Sequence, residues 1–444
     1  MMITRLKYKD HKIMNNLEIN LSKNDGTGYK KIVFLGENGV GKTTILNDLF
    51  EFLNQGPLKF GEIEFINDFG EKMTIIQNER SYEFGFHNIK KGETIINNNS
   101  NINNNRTKIK NNNDDLRKHG VVYSKVQVDF KTDQISSAGT LDINNDEDIY
   151  DNFDFTRIKQ LLVDLSAQDS EEFANMHLQG QKIAIEDFEL KYSKLYTFRS
   201  AINNFFENIK FSKITTKRGK KDVIFEKNNK EVSIDDLSTG EKQIVFRGVY
   251  ILKNISLHEN GFVLIDEPEI SMHPRWEDKI LKYYSDLLFN NNRIGQLIIA
   301  THSERILSQA LKDPDTLIIG IKQNNGVATY ERYDSNFVLP YVSDAEINFK
   351  IFKVYTSDLH LQLFDYIQSN NNCASIKAVD DFIMNTTHYN ASIHHQPTFY
   401  KNINYNTICT SIRNDLHHGK PNNVSEGQLK NSIDLMYKIC GGSI

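Results

Sequence analysis

Along the first 340 residues, apolar positions recur at the spacing of strands in some segments and at the spacing of helices in others. The alternation of these two kinds of segment predicts an α/β fold. Short apolar or alternating runs predict strands at residues 3–7, 17–21, 32–35, 60–66, 72–76, 121–130, 211–216, 223–225, 262–265 and 296–300. Helical spacing predicts helices at residues 43–53, 237–257, 276–289 and 304–311. Because strands and helices take turns in the second half of this region, we expect a mixed, largely parallel sheet with flanking helices.

The pattern changes near residue 340. Residues 345–369, 375–386, 405–417 and 426–440 all have helical spacing, which predicts an all-α domain over 341–444 after an α/β domain over 1–340. Within the first domain, 155–210 reads as a helical subdomain without a sustained heptad, so no long coiled coil is expected. Ten of the 17 residues from 97 to 113 are asparagine, which predicts a polar surface insertion over about 92–118.

A glycine-rich segment follows the strand at 32–35 and precedes the first helix. It reads G-E-N-G-V-G-K-T, which fits the phosphate-loop pattern G-x-x-x-x-G-K-T in its expected strand-loop-helix context. Glycines let successive backbone N–H groups surround an anion at the positive end of a helix. We therefore predict ATP binding, with the lysine on the β- and γ-phosphates and the first threonine on Mg²⁺. The predicted contacts are Asn38, Gly39, Val40, Gly41, Lys42, Thr43 and Thr44.

Two carboxylates end the apolar strand at residues 262–265. Asp266 is suited to hold Mg²⁺, and Glu267 to orient and deprotonate the attacking water. A second strand ends in A-T-H-S, which places His302 at the same edge of a parallel sheet. An imidazole there could contact the γ-phosphate. These residues predict hydrolysis of ATP in addition to binding.

Four motifs in order, G-E-N-G-V-G-K-T, L-S-T-G-E-K-Q, F-V-L-I-D-E-P-E and A-T-H-S, resemble the ATP-binding cassette superfamily over residues 1–335. The resemblance implies an ABC-type ATPase head that acts as a head-to-tail homodimer around two ATP molecules. In that arrangement Ser238, Gly240 and Glu241 cap the nucleotide of the second subunit. The superfamily's metal-contacting glutamine corresponds to Gln127.

The turn after the two carboxylates, E-I-S-M-H-P, resembles the RecF and overcoming-lysogenization-defect branch of soluble DNA-repair and phage-defence ATPases. Within the C-terminal helices, Arg413, Asn414 and His418 match the R-N-x-x-x-H pattern of HEPN domains, many of which are metal-independent ribonucleases. An imidazole and a guanidinium suit cleavage beside a ribose 2′-OH. Helical geometry instead places His417 on the face of Arg413, so either histidine remains a candidate.

Composition narrows the cellular context. The net charge of −5 gives no global basic field for nucleic acid. Three cysteines lie far apart without a C-x-x-C pair, which indicates a reducing compartment. No charged-then-apolar leader opens the chain, and no apolar run approaches the roughly 20 residues that span a bilayer. We expect a cytoplasmic protein with no membrane partner.

An ABC-type ATPase followed by a HEPN-like domain resembles the anticodon nucleases of the PrrC and RloC type, which cut tRNA. The ATPases of the Septu defence system, of the PtuA type, are an equally close comparison. The first hypothesis is therefore an anti-phage ATPase whose nucleotide state gates an RNA-cleaving domain. The second is a sensor or scaffold ATPase that restrains a separate effector protein. The third is a DNA-repair ATPase of the RecF kind.

Overall fold

The computed structural model describes residues 1–78, 81, 86–98, 109–125, 155–217, 219–255, 260–289, 294–324, 326–333, 337–341, 343–400 and 402–442. It divides into two compact units, Met1–Glu331 and Arg332–Ile444, called here the N-terminal and C-terminal units. Within the described residues no helix is both long and apolar enough to cross a bilayer.

The N-terminal unit alternates strands and helices, as the sequence predicts. Its strands are β1 (Met2–Tyr8), β2 (Glu18–Asn20), β3 (Lys31–Leu35), β4 (Phe60–Ile66), β5 (Lys72–Gln77), β6 (His87–Lys91), β7 (Thr94–Asn98), β8 (Val121–Ser124), β9 (Ile209–Lys217), β10 (Lys220–Lys227), β11 (Lys230–Ser233), β12 (Gly261–Asp266), β13 (Ile294–Thr301), β14 (Thr316–Asn324) and β15 (Val327–Arg332). Its helices are α1 (Lys42–Leu53), α2 (Phe155–Leu178), α3 (Ile185–Lys191), α4 (Lys194–Phe205), α5 (Thr239–Ile255), α6 (Pro274–Phe289) and α7 (Glu304–Ala310).

The sheet that carries the predicted nucleotide site has the strand order β15-β14-β3-β13-β12-β8. The pairs β14–β3, β3–β13, β13–β12 and β12–β8 are all parallel. Strand β12 is buried along its whole length, as expected for a central strand covered on both faces. The predicted largely parallel sheet is therefore confirmed for these strands.

The predicted strands near the N-terminus belong to a second, separate sheet. Its order is β2-β1-β4-β5-β6-β7, and each neighbouring pair is antiparallel. The buried side chain of Gln296 joins the two sheets. Its Oε1 accepts from Ile3 N at 3.0 Å, and its Nε2 donates to Ile3 O at 3.1 Å and Tyr29 O at 2.9 Å. One amide thus satisfies three buried backbone groups between β13 and β1.

A third sheet, of order β11-β10-β9, accompanies the helices α2 to α4. The buried Lys159 on α2 ties the two together, because its Nζ lies 3.2 Å from Asp222 Oδ1 and 2.6 Å from Asp235 Oδ2. Strands β9 and β10, which contain the two strands predicted at 211–216 and 223–225, form an antiparallel hairpin. This arrangement leads the chain directly into α5, the helix that follows the L-S-T-G-E-K-Q motif.

The predicted asparagine-rich insertion is partly wrong at its edges. Residues Thr94–Asn98 form the edge strand β7, and Ile109 and Leu116 are buried. Asp115 and Arg117 form a buried ion pair there, with Arg117 Nη2 2.8 Å from Asp115 Oδ2. Alternating apolar positions and this paired charge therefore order segments that asparagine content alone marks as surface. The centre of the insertion, residues 99–108, lies outside the described residues.

The C-terminal unit is mainly helical but not all-α, so that prediction is wrong. Its helices are α8 (Asp344–Phe352), α9 (Ser357–Asn370), α10 (Ile376–Met384), α11 (Ala391–His394), α12 (Ile408–His417) and α13 (Glu426–Ile439). Strands β16 (His395–Tyr400) and β17 (Ile403–Thr407) form an antiparallel hairpin. The turn between them includes Asn402 at φ 62°, a left-handed conformation that asparagine tolerates.

The single helix predicted over 345–369 is also wrong, since it is two helices. Lys353 ends α8 in the left-handed conformation at φ 57°, and Thr356 then caps α9 by accepting from Leu359 N. Two buried carboxylates organise this unit. Glu346 accepts from Val338 N at 2.6 Å and Tyr437 OH at 3.2 Å, and Asp380 accepts from Asn406 N and Thr407 N.

Candidate nucleotide-hydrolysis site

Four predicted site segments meet at one edge of the parallel sheet. The register pairs Leu35 with Thr301, Ala300 with Asp266, and Ile265 with Ser124. Strands β3, β13, β12 and β8 therefore end at nearly the same level. In open α/β sheets the carboxyl ends of parallel strands form the usual ligand crevice.

The phosphate loop leaves β3 and becomes α1. Gly41 precedes the helix at φ 106°, a conformation that favours glycine, and a Cβ there would lie 2.6 Å from Sδ of the buried Met14. Within the loop, Asn38 and Gly39 are exposed and Val40 is half-buried. This geometry leaves the loop backbone open to an anion at the helix start.

Lys42, the first residue of α1, is buried and turned back over the loop. Its Nζ donates to Gly36 O at 2.6 Å and Glu37 O at 3.0 Å. Burial lowers the pKa of Lys42, and the charges of three nearby carboxylates, Glu267, Glu269 and Asp266, oppose that change. Phosphate oxygens are charged acceptors and bind an ammonium group more strongly than carbonyls do. The lysine is therefore positioned to exchange its carbonyl partners for phosphate.

Thr43 and Asp266 form the candidate metal position. Thr43 Oγ1 donates to Asp266 Oδ2 at 3.0 Å, while Asp266 Oδ1 is buried and, in the part of the chain that the structure describes, has no hydrogen-bond partner. Burial raises the pKa of Asp266 although the Thr43 hydrogen bond lowers it. A buried, unpaired carboxylate oxygen beside a hydroxyl is a donor set that suits Mg²⁺. Thr44 follows in the first turn of α1 and is half-buried.

Glu267 follows β12 in a left-handed conformation, at φ 40°. Its N–H donates to Ala300 O at 2.8 Å, so the hydrogen bonds between β12 and β13 extend one residue beyond the end of β12. Its carboxylate Oε1 lies 3.6 Å from His302 Nδ1. Non-glycine residues in this region are strained and occur often at functional sites. The structure therefore brings the predicted base and the predicted γ-phosphate contact side by side.

Two residues at this site escape the sequence prediction. Glu269 is buried, and its Oε1 accepts from Thr301 Oγ1 at 2.6 Å and His302 N at 2.8 Å. Arg247 on α5 is buried and donates to Asp266 O at 3.1 Å and Lys125 O at 3.2 Å. The sequence did contain a signal for Glu269, because it is the second glutamate of the D-E-P-E motif. Nothing in the helical pattern distinguishes the arginine from a surface position.

The L-S-T-G-E-K-Q segment starts α5 with a reciprocal cap. Ser238 N donates to Glu241 Oε2 at 2.8 Å, and Glu241 N donates to Ser238 Oγ at 3.4 Å. Glu241 also pairs with Lys227 Nζ at 2.8 Å. Gly240 approaches the turn after β12, where a Cβ would lie 2.4 Å from Ser271 O. Ser238 itself is exposed, as a residue that contacts a second subunit would be.

Gln127, the predicted metal-contacting glutamine, lies outside the described residues. The last described residue before it, Lys125, places its Nζ 5.7 and 5.6 Å from the ring centroids of Phe50 and Tyr123. Within the described part of the chain, no group of three or more histidine, cysteine, aspartate or glutamate side chains is arranged to hold a metal ion.

The predicted ribonuclease residues lie on α12 and its end. The helix continues to His417, His418 follows as its cap, and Gly419 is left-handed at φ 68°. Arg413 and His417 are thus one turn apart, whereas the His418 ring packs against Tyr400 at 4.7 Å between centroids. Arg413 Nη1 donates to Asn414 Oδ1 at 3.4 Å, and no hydrogen bond joins Arg413 to either histidine among the described residues.

Comparison with known protein families identifies the N-terminal unit. Residues 31–308, more than half of the 444-residue chain, match a family model described as "AAA domain, putative AbiEii toxin, Type IV TA system". The chain belongs to this AAA family. Membership supports ATP binding and hydrolysis by the chain, in agreement with the residues gathered at the sheet edge. The match includes the phosphate loop, Asp266, Glu267 and His302.

Two relatives of this AAA protein are a retron ATPase and a Septu protein. The "Retron Ec83 probable ATPase" of Escherichia coli is 28% identical over 163 residues, which cover 34% of this chain and 29% of that relative. The "Septu protein PtuA" of Bacillus thuringiensis is 24% identical over 336 residues, which cover 71% of this chain and 74% of PtuA. The chain therefore matches less than a third of the retron ATPase and about three quarters of PtuA.

Solved structures of SMC heads are also similar to this AAA protein. The SMC head domain from Thermotoga maritima is 14% identical, with a TM-score of 0.42, and the match covers 76% of this chain and 100% of that domain. An SMC head bound to the C-winged helix domain of ScpA is 12% identical, with a TM-score of 0.44, and the match covers 75% and 98% of the two chains.

Proposed function

We propose that this protein is a dimeric ATPase of bacterial anti-phage defence, and that its nucleotide state controls an effector. Membership of the AAA family supports the ATPase, and the similarity to PtuA and a retron ATPase supports the defence role. One observation carries the proposal. The groups needed for hydrolysis converge where the parallel strands end: Lys42, the Thr43–Asp266 pair, Glu267 and His302.

Each of these groups has a chemical role that its surroundings support. Lys42 binds the β- and γ-phosphates, and Thr43 with Asp266 holds Mg²⁺, which neutralises phosphate charge when bound. Glu267 orients the attacking water and accepts its proton. His302 contacts the γ-phosphate. A low-dielectric pocket strengthens all of these interactions, and Lys42 and Asp266 are both buried.

The start of α5 supports the proposed dimer. A helix of 17 residues has N–H groups without intrahelical acceptors at its first turn, and Ser238 there is exposed. The cap with Glu241 uses the N–H groups of Ser238 and Glu241, and helix geometry gives those of Thr239 and Gly240 no intrahelical acceptor. In our proposal that acceptor is the γ-phosphate bound by the second subunit.

The dimer is tested by mixing two inactive variants, Lys42→Ala and Ser238→Arg. A mixed dimer has one site with both an intact lysine and an intact serine, so random mixing restores roughly a quarter of wild-type phosphate release. Each variant alone stays inactive. Absence of recovery, or full turnover by a strictly monomeric preparation in light scattering, would contradict the shared site.

For the effector step, the proposal is that the C-terminal unit acts as a ribonuclease, with tRNA as the first substrate to test. One observation favours it: Arg413 Nε and Asn414 Nδ2 are buried donors without a hydrogen-bond partner among the described residues. An unpaired buried donor is costly, so a phosphate bound beside α12 would supply the acceptor that these groups lack. Since α12 is unbroken to His417, His417 stands on the face of Arg413, and His418 is the alternative base.

The ribonuclease is tested with His417→Ala and His418→Ala variants, each triggered in cells with total RNA analysed for breaks. Loss of cleavage in one variant identifies the histidine that acts. If both variants damage RNA as the wild type does, or if toxicity needs a co-purifying protein and neither histidine, a separate restrained effector is the better explanation. ATPase activity stimulated by DNA ends, without growth arrest, would instead indicate DNA repair.

A further inference from the structure

Glu269 lies where the two catalytic strands meet. After Glu267, the chain turns at Pro268, and Met272 N donates back to Glu269 O at 2.9 Å. This turn returns the Glu269 side chain to the end of β13, where 94% of its surface is removed from solvent, against 54% for His302. A buried carboxylate is costly unless it is hydrogen-bonded, so its contacts merit an explanation.

The hydrogen bonds of the Glu269 carboxylate to Thr301 and His302 use one oxygen. Oε1 accepts from Thr301 Oγ1 at 2.6 Å and His302 N at 2.8 Å, and lies 3.2 Å from His302 Nδ1. The other oxygen, Oε2, is buried without a hydrogen-bond partner among the described residues. A carboxylate that only capped the end of β13 would need to bind the backbone N–H of His302 but not its imidazole. Here one oxygen lies beside both the backbone N–H and the ring of the same histidine.

The anchoring determines which ring nitrogen faces the reaction. His302 Nδ1 lies between Glu269 Oε1 at 3.2 Å and Glu267 Oε1 at 3.6 Å. Among the described residues Nε2 has no hydrogen-bond partner, so it is the nitrogen left to reach a phosphate. A carboxylate beside Nδ1 keeps a proton on that nitrogen and orients the ring, and a second proton on Nε2 then lets the ring donate to a phosphate oxygen.

We propose that Glu269 is a positioning residue, which holds His302 by its main-chain N–H and its Nδ1 so that Nε2 is presented to the γ-phosphate. The inference rests on the proposed ATPase function and deepens it. In this role Glu269 acts through the histidine rather than on the nucleotide. Because the same carboxylate also fixes the Thr301 hydroxyl, the end of β13 and the imidazole keep one common orientation.

The test is a double-mutant cycle between Glu269→Ala and His302→Ala, measured as kcat and KM for ATP hydrolysis. We expect Glu269→Ala to lower kcat by about 10- to 100-fold, with KM changed by less than about twofold, because misplaced catalytic groups lose that much rate. In the His302→Ala background the same change costs less than about twofold, since coupled residues are not additive. An equal loss in both backgrounds would overturn the proposal.

Matched variants separate positioning from folding. Glu269→Gln keeps an oxygen in the Oε1 position and restores kcat to within about threefold of wild type, because all three contacts use that atom. Glu277→Ala removes a carboxylate on α6 that accepts from Ser303 Oγ at 2.6 Å. Because Ser303 is the residue after His302, this variant is a nearby control, and we expect it to leave kcat unchanged. Glu269→Asp, which withdraws the carboxylate by one methylene, replaces the alanine variant if that variant does not fold. A glutamine variant as slow as alanine would refute the geometry.

A spectroscopic measurement keeps this inference distinct from the ATPase itself. In protein labelled with ¹⁵N in its 13 histidines, long-range proton–nitrogen spectra assign His302 by comparison with His302→Ala. We expect His302 Nδ1 to carry a proton, and to lose that preference in Glu269→Ala. An unchanged His302 signal refutes the anchoring. Absence of ATP hydrolysis in wild type, with this signal as expected, refutes only the proposed function.

Discussion

Replacement of Glu267 by glutamine is the sharpest perturbation of the hydrolysis site. The two side chains have the same shape, and the Glu267 N–H that donates to Ala300 O at 2.8 Å belongs to the main chain, so it survives the change. The residue keeps its left-handed backbone at φ 40°. Only the negative charge and the ability to accept a proton are removed.

The expected size of the effect follows from what this carboxylate does. A positioned general base contributes about 10²–10⁴ in rate, which is about 3–5 kcal/mol of the activation barrier. The affinity for ATP is not expected to fall with the rate of hydrolysis. Burial is the main cause that raises the pKa of Asp266, and the charge of Glu267 adds to it. Without that charge Asp266 ionises more readily, and repulsion of the ATP phosphates falls. We therefore expect Glu267→Gln to bind ATP as tightly as wild type or more so.

The assay combines phosphate release, binding of a fluorescent ATP analogue, and light scattering after gel filtration with ATP and Mg²⁺. We expect turnover at least 100-fold below wild type, retained nucleotide binding, and accumulation of a closed dimer. Glu277→Gln is the control, because it neutralises a nearby carboxylate on α6 that contacts Ser303 rather than His302. Turnover of Glu267→Gln within about threefold of wild type would refute the role of Glu267 as the base.

Three further predictions test the phosphate loop of the N-terminal unit and two buried polar residues of the C-terminal unit. Gly41→Ala places a Cβ 2.6 Å from Met14 Sδ at φ 106°, so we expect nucleotide affinity to fall at least tenfold in the same fluorescence assay, without loss of helix content in circular dichroism. Asp380→Ala leaves the N–H groups of residues 406 and 407 unpaired, which costs about 2–5 kcal/mol and should increase hydrogen exchange there; unchanged exchange would contradict it. Burial lowers the pKa of His360 to about 3, so only the unfolded state gains this proton below about pH 6.5. The contribution of neutral His360 to the free energy of unfolding is therefore fully present above that pH and falls by about 2 kcal/mol at pH 5. Denaturant titration should find a smaller loss in His360→Gln.

Local pattern was sufficient wherever one segment decides its own structure. Strand β4 has the bounds that alternation predicts, Phe60–Ile66, and α1 begins at the lysine of the phosphate loop. The motif also names the groups that meet at the sheet edge, because each lies directly after an apolar strand. These features depend on residues that are neighbours in the chain, so periodicity and glycine content are enough to find them.

Pattern was insufficient where the left-handed backbone of one residue divides a segment. Lys353 has no side-chain feature that separates it from an ordinary helical position, yet it ends α8 in the left-handed conformation. The single helix predicted over 345–369 fails there, and the all-helical prediction fails at the hairpin of β16 and β17, where Asn402 is a residue type that tolerates the left-handed turn. A left-handed conformation costs about 1–2 kcal/mol for a residue such as lysine, and the surrounding tertiary contacts must offset that cost.

What the sequence alone determined is the set of parts: a phosphate loop, two carboxylates after one strand, and a histidine after another. Only the tertiary structure decided how they engage. Glu269 and His302 are 33 residues apart, and they meet because β12 and β13 pair in parallel with Asp266 opposite Ala300. Strand register depends on packing of the whole sheet against its helices, which no local window of residues contains. For that reason the motifs identify an ATPase, while the carboxylate that orients its histidine is visible only in the fold.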